Sequence, residues 1–299
     1  MKPKVSIIII SWNTKALLRR CLNSIYSCPP RTSYEVIVVD NASSDGSTHM
    51  VQREFPQVRL ITNEINWGYA KAANQAIVQN ASDYVFVLNS DTEILSEALD
   101  ALVGFAGEHQ GAGAIGPKLL NPDGSVQLSC RRFPSLGTGI GHAFLGLFSS
   151  RNPYTRTYRL ADWDHCSIRE VDWISGAAMF LRRSALDDTG LFDESYFMYV
   201  EDVDLCFRLW QAGWKIYYEP SAQVIHHVAQ SSKLSSPWMI MEHHKSLYRF
   251  IAKNSSGYMR FMDLPIGAGL ILRGGLAAAV SAVKNGLGRR FGGSKAEGQ

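Results

Sequence analysis

Over its first hundred residues the chain repeats one pattern, a short β-branched run followed by an amphipathic stretch, and few folds accommodate that repetition. Residues 5–10 read Val-Ser-Ile-Ile-Ile-Ile, and 34–39, 58–62 and 84–88 are similar runs bounded by turn residues. Continuous apolar runs of this length fit parallel strands covered on both faces. Between the first two, Leu17, Leu18, Cys21, Leu22 and Ile25 recur at helical spacing, with Thr14 the expected cap and Pro29-Pro30 the stop. Further helices are expected from Asp45-Gly46-Ser47 onward and over 69–79. Strand–helix alternation predicts an α/β fold, a doubly wound and mostly parallel sheet with helices on both faces. Ligands of such sheets bind beyond the carboxyl ends of the strands. Ser11 and Asn13, Asp40 and Asn41, Asn63 and Asn66, and Asn89 and Asp91 stand at those ends. Turn preference explains any one of these placements, but hardly all four.

With 299 residues, 46% apolar and 19% charged, the chain has material for one large domain or two smaller ones. Cysteines 21, 28, 130, 166 and 206 are odd in number and form no C-x-x-C pair. That argues against a disulfide framework or a zinc knuckle and points to a reducing compartment. The apolar run at 5–10 is too short for a signal sequence, so a cytoplasmic protein is expected. Charge is uneven: residues 245–299 hold nine Lys and Arg against Asp263 and Glu297, a net of +7 within a total of +3. Residues 120–165, with Gly137, Gly139, Gly141, Pro134 and Pro153, read as a long excursion or lid. The 137–141 glycines lack a preceding strand and do not match a dinucleotide fingerprint. A strand is expected over 171–181, a helix over 200–211, short strands over 216–218 and 222–225, and a helix over 237–252. Residues 264–287 are apolar but interrupted by Arg273 and five glycines. An interfacial basic helix fits them better than a membrane span; packing on the body of the protein or on a second subunit is the alternative. The expected organisation is a domain over 1–235, divided near residue 118 into nucleotide-binding and acceptor halves, and a helical basic extension over 236–299.

Seven segments carry a resemblance. They are Val5-Ser6-Ile7-Ile8 with Trp12-Asn13, Val39-Asp40-Asn41-Ala42-Ser43-Ser44-Asp45-Gly46, and Asn66-Trp67-Gly68-Tyr69-Ala70-x-Ala72-x-Asn74. Leu88-Asn89-Ser90-Asp91-Thr92, Ile174-Ser175-Gly176-Ala177, Phe192-Asp193-Glu194 and Tyr199-Val200-Glu201-Asp202-Val203-Asp204-Leu205 follow. In this order, across roughly 4–230, they resemble the family-2 glycosyltransferases, in the bacterial branch of rhamnosyltransferases. The resemblance implies a GT-A fold, an Mg²⁺ or Mn²⁺ ion, and sugar transfer with inversion. It implies a pyrimidine nucleotide diphosphate donor, with dTDP-rhamnose favoured, and a saccharide or lipid-linked saccharide acceptor in cell-surface polysaccharide assembly. A nucleic-acid partner is not expected, and a homodimer is left open.

The residues fit that chemistry by themselves. Asp40, at a strand end, can accept the imide N–H of uracil or thymine; capping a helix is its alternative. Asn66 and Gly68 precede a helix whose first N–H groups suit a diphosphate. Ser11, Asn13, Lys71, Asn74, Asn89, Ser90 and Gly176 complete the expected nucleotide-sugar set. Asp91 is the expected metal ligand, since hard cations prefer carboxylate oxygens. Asn89 stands where the family's D-x-D motif has its first carboxylate, which should weaken cation binding before the donor arrives. Asp202, at the start of a helix, is the expected catalytic base, with Glu201 orienting base or acceptor; first-turn acids favoured by the helix dipole are the alternative. By resemblance His227 joins the metal shell. Trp173 and Tyr199 are expected either to stack on sugar or to fill the core, Asp204 is structural, and His243-His244 has no assigned role. Two rivals remain at this level: a sugar nucleotidyltransferase, whose glycine-rich basic loop is missing at Ser11-Trp12-Asn13-Thr14, and a non-catalytic nucleotide-sugar-binding module.

Overall fold

Ile7, Ile8 and Ile9 are all fully buried, so their strand lies between two layers. A buried side chain of this size contributes about 1.5–3 kcal/mol relative to exposure. In the computed structural model, which describes residues 2–27, 29–133, 152–227, 237–255 and 264–275, β1 (Val5–Ser11), β2 (Tyr34–Asp40), β3 (Arg59–Thr62) and β4 (Tyr84–Asn89) lie parallel. Helices α1 (Lys15–Ser27), α2 (Ser47–Glu54) and α3 (Tyr69–Ile77) connect them. Ile7, Ile9, Val36 and Val38 pack with Leu18, Leu22, Met50 and Val51 of α1 and α2. Alternate residues point the other way, where α3 touches β1 and β2.

The sheet continues without a break past residue 118. Next come β5 (Thr92–Ile94), α4 (Ala98–Glu108), β6 (Ala112–Leu120), β7 (Cys130–Arg131), α5 (Pro153–Tyr158), β8 (Arg169–Glu170), β9 (Trp173–Ile174), β10 (Ala178–Arg182), α6 (Arg183–Thr189), α7 (Glu201–Gln211) and β11 (Lys215–His226). The nine-stranded sheet runs β3-β2-β1-β4-β10-β6-β11-β5, with β8 also on β11, while β7 and β9 form a separate pair. β10 is antiparallel to both its neighbours, and β5 is antiparallel to β11.

Four local differences from the sequence expectations have physical causes. Lys15 N–H, at the start of α1, donates to the Asp45 carboxylate (2.7 Å), and the Thr14 hydroxyl bonds Ser11 and Ser90 instead. The run at 171–181 divides into β9 and β10 around a turn at Ser175-Gly176-Ala177. The short strands at 216–218 and 222–225 are one strand, β11, irregular between Glu219 and Gln223. Patterning assigns nothing to β6, where Gly116 is required because a Cβ would lie 2.7 Å from Ile174 Cγ2.

By its packing the chain divides into two units, residues 1–195 with 201–231, and residues 196–200 with 232–299. In the second, α8 (Pro237–Asn254) holds the 196–200 segment: Ser246 Oγ donates to Met198 O, and the rings of Tyr199 and His243 meet edge-on, 5.4 Å apart. A helix over 264–275 packs Gly267 against Tyr248 and brings Arg273 3.3 Å from His244 Nε2. Among the described residues no helix is long and apolar enough to cross a membrane. The 276–287 part of the expected interfacial helix and residues 134–151 of the expected lid lie outside the described residues.

Candidate active site

At the end of β2, Asp40 is 2% exposed and accepts the Ser43 N–H (2.8 Å) through Oδ2. Its buried Oδ1 has no hydrogen-bond partner among the described residues, an acceptor reserved for an arriving donor. The surrounding strand ends are tied to one another. Ser11, Thr14 and Ser90 form a chain of hydroxyls at 3.1 and 2.7 Å. Asn13 donates its N–H to Ser43 Oγ and accepts from Ser44 N–H.

Several members of the expected nucleotide set bond to protein instead. Asn66 Oδ1 accepts the Gly68 N–H (2.9 Å), so that group is not free for a diphosphate. Asn74 donates to Phe192 O and to Glu194 and accepts from Phe192 N–H, which makes it a buried clamp on the 192–194 loop. Lys71 Nζ sits 3.5 Å from the centre of the Trp67 ring.

Asp91, 1% exposed, follows β4, and its carbonyl accepts the His227 N–H. The imidazole beside its carboxylate belongs to His226, with Nε2 3.3 Å from Oδ1. His227 turns away and bonds Glu93 at 2.5 Å, so the geometry does not bring the expected ligand to Asp91. Gln127 fixes the His226 ring. Its Nε2 donates to His226 O (2.7 Å) and Asn121 Oδ1 (2.8 Å), which leaves its Oε1 to accept from His226 Nδ1 (3.0 Å). With Nδ1–H given to Gln127, His226 turns its Nε2 toward a carboxylate oxygen, a pair between which a cation or a proton can stand. Ligands at right angles around a small divalent ion, each ~2.1 Å away, lie about 3 Å apart, so this pair fits one. No group of three or more His, Cys, Asp or Glu converges among the described residues; other ligand positions would fall to donor phosphate and water.

Asp202 stands in the first turn of α7, after Tyr199 (φ 67°) and Val200 (φ 71°). Both are left-handed, a conformation costing about 1–3 kcal/mol for such residues. Its Oδ2 accepts the Gly176 N–H and its Oδ1 the Val203 N–H, each at 2.8 Å. Gly176 permits this approach, since a Cβ there would lie 3.3 Å from Oδ2. The carboxylate keeps some contact with solvent, yet protein surrounds it and burial raises its pKa; the two N–H groups and Arg131 act the other way. Glu201 is raised further, first by burial and then by the Asp202 charge, and its buried Oε2 has no hydrogen-bond partner among the described residues. Both carboxyl groups are thus pushed toward the neutral form by burial, and only Asp202 has N–H donors from Gly176 and Val203 to favour its charged form.

The sequence pattern singles out neither Tyr69, apart from its motif, nor Gln127. The Tyr69 hydroxyl donates to Gly176 O (2.6 Å), and its pKa is pushed up by burial and then by Glu201, Asp202 and Asp91. All three carboxyl groups therefore act electrostatically on the Tyr69 hydroxyl. The backbone links them too: Asn89 N–H donates to Ala177 O, next to the Gly176 that holds Asp202. Trp173 is 6% exposed, donates to Arg132 O, and has the Arg131 guanidinium 5.0 Å from its ring centre. Asp204 pairs with Arg208 at 2.8 Å.

Residues 6–188, more than half the chain, match the model of glycosyl transferase family 2, and 142–262 match glycosyl transferase family group 2. N-acetylglucosaminyl-diphospho-decaprenol L-rhamnosyltransferase of Mycobacterium tuberculosis is 39% identical over 271 residues, 87% of this chain and 88% of that one. Rhamnosyltransferase WbbL of Escherichia coli K12 is 27% identical over 259 residues, 83% and 93% of the two chains. Among solved structures, mannosyltransferase PcManGT from Pyrobaculum calidifontis, in complex with GDP-Man and Mn²⁺, has a TM-score of 0.57 at 18% identity, over 97% of this chain and 76% of that one. S. aureus TarS 1–349 in complex with UDP gives 0.55 at 20% identity, over 91% and 71%. These two share the fold. With carboxylates and amides gathered at its strand ends, the chain belongs to glycosyl transferase family 2, in the rhamnosyltransferase branch, and is a glycosyltransferase of GT-A fold.

Proposed function

We propose that the enzyme transfers L-rhamnose, with inversion, from dTDP-rhamnose to a hydroxyl of a lipid-linked saccharide during assembly of a cell-surface polysaccharide. What carries this reading is the Asp202 carboxylate, held at the start of α7 by the N–H groups of Gly176 and Val203, with Gly176 O in turn accepting from the Tyr69 hydroxyl and Asp91 facing His226 at the strand ends. Ionised Asp202 takes the proton of the acceptor hydroxyl as its oxygen attacks the anomeric carbon. The bond from that carbon to the donor phosphate breaks, and its electron pair leaves with the diphosphate. Asp40 Oδ1 accepts the imide N–H of the thymine ring, while Glu201, whose pKa burial raises, stands next to the base and orients it or the acceptor. Asp91 and His226 would hold an Mg²⁺ or Mn²⁺ ion, which when bound supplies positive charge to the departing diphosphate. The acceptor class follows the 39% identical relative, whose name specifies a diphospho-decaprenol substrate. Exposed Leu264, Ile271 and Leu272 support attachment at a cytoplasmic membrane face.

The test is transfer by the full chain from dTDP-rhamnose, UDP-glucose, UDP-N-acetylglucosamine and GDP-mannose, with Mn²⁺, Mg²⁺ or chelator. Transfer from dTDP-rhamnose that chelator abolishes is expected. Preference for the purine donor would overturn the role of Asp40, and indifference to chelator that of Asp91 and His226.

A further inference from the structure

Asp123 and Asp162 bracket a segment of unusual charge. Residues 124–161 contain Arg131, Arg132, Arg151, Arg156 and Arg159 and neither Asp nor Glu. Two of these arginines meet beside the catalytic base. Arg131 stands opposite Trp173 in the β7–β9 pair, its guanidinium carbon 5.0 Å from the Trp173 ring centre and 5.6 Å from that of Tyr158. Arg132 N–H donates to Tyr158 O (3.1 Å), drawing the end of α5, and with it Arg159, against β7. The Nε of Arg131 and the Nε of Arg159 are both buried without a hydrogen-bond partner among the described residues.

Nor is the charge neutralised. Neither arginine is in an ion pair among the described residues. Nearby acids are engaged: Asp172 accepts the Phe133 N–H (2.7 Å), and Asp162 pairs with Arg156. Arg159 is held below its ordinary pKa by burial and then by the Arg131 charge, so the two cations repel across a partly desolvated gap. Arg131 also acts electrostatically on the Asp202 carboxylate, lowering its pKa against the effect of burial. Half-buried guanidiniums left unpaired are costly, and their forks match phosphate oxygens.

We propose that Arg131 and Arg159 form a phosphate site for the acceptor, gripping the diphosphate that joins the acceptor sugar to its lipid while Asp202 faces the sugar hydroxyl. The donor diphosphate has its own place at Asp91 and His226. This inference rests on the glycosyl-transfer reading and deepens it. A membrane phospholipid offers similar chemistry, and the experiment separates the two.

The wild-type chain, Arg159→Gln, Arg131→Gln and the charge-preserving Arg159→Lys are compared using two water-soluble acceptors, a short-chain alkyl diphosphate of N-acetylglucosamine and the neutral alkyl glycoside of the same sugar. Binding is read by calorimetry with dTDP and Mn²⁺ present, transfer by kcat/KM, and lipid contact by sedimentation with phosphatidylglycerol vesicles. Wild type should favour the diphosphate acceptor, and each Gln variant should lose about tenfold or more of that preference, with Arg159→Lys intermediate. Equal losses toward both acceptors, no preference in the wild type, or a defect confined to vesicle binding would overturn the site. Failure of the glycosyl-transfer reading looks different: no transfer to either acceptor, with arginine-dependent binding of the diphosphate retained.

Discussion

The donor side and the acceptor side of this site are built on opposite principles. Around β1 to β4 the polar side chains satisfy one another: Ser11, Thr14 and Ser90 in one chain, and Asn41, Asn63 and Gln75 in another. Asp40 Oδ1 is the acceptor left over there. On the proposed acceptor side the buried groups without a hydrogen-bond partner among the described residues are the Nε groups of Arg131 and Arg159 and Oε2 of Glu201, whose pKa burial raises. A closed network fixes geometry before the ligand arrives, whereas unpaired groups wait for the ligand to complete them. On the proposed reading the donor is met by a tied hydrogen-bond network and the acceptor by unpaired positive charge.

Asp202→Asn tests this division most severely. It should lower kcat by roughly 10²–10⁴-fold while calorimetry finds dTDP affinity little changed; a parallel loss of nucleotide affinity would merge the two sides. A smaller effect is expected at Gln127. Gln127→Leu removes the acceptor for His226 Nδ1 and should weaken Mn²⁺ binding in the presence of dTDP about 10–100-fold, read by electron paramagnetic resonance. Gln127→Glu keeps that acceptor but sets an oxygen against His226 O and Asn121 Oδ1, so it should recover only part of the loss, and unchanged Mn²⁺ binding in Gln127→Leu would dismiss the orienting role. Glu201→Gln should have the smallest effect, and it depends on pH. Because the folded pKa of Glu201 is raised, its stabilising contribution is complete below the ordinary glutamate range and is lost as pH rises through the raised value. The amide cannot ionise, so the melting temperature of the variant should gain on wild type as pH increases. Parallel melting curves at acid and alkaline pH would remove Glu201 as a neutral acid.

Much of the donor side was legible because continuous apolar runs mark buried parallel strands, and the carboxylates that close them stand out. Asp40 and Asp91 could be picked out this way, whereas Asp202 stood out as an acid in the first turn of an amphipathic helix, within a motif that carries the resemblance. β6 was not legible, because Gly113, Gly116 and Pro117 interrupt its pattern, and at Gly116 the cause is Ile174, far along the chain. Asn66 and Asn74 carry the right chemistry for a ligand, but their hydrogen bonds go to Gly68 and Phe192, and residue type does not reveal the partner. Gln127 and Tyr69 matter through contacts 99 and 107 residues away, and no local spacing encodes those.

The irregularity in β11 reaches further than its size implies. Glu219 pairs with Pro117 and Gln223 with Lys118, so four steps along β11 match one along its neighbour. The three surplus residues are an odd number, and side chains alternate sides along a strand. Everything downstream is therefore flipped relative to an uninterrupted ladder, including which member of the histidine doublet faces Asp91. An insertion or deletion of one residue at 220–222 would reverse that choice without altering any residue of the catalytic cleft. Here the choice of the histidine that faces Asp91 is written as the number of residues in a strand irregularity.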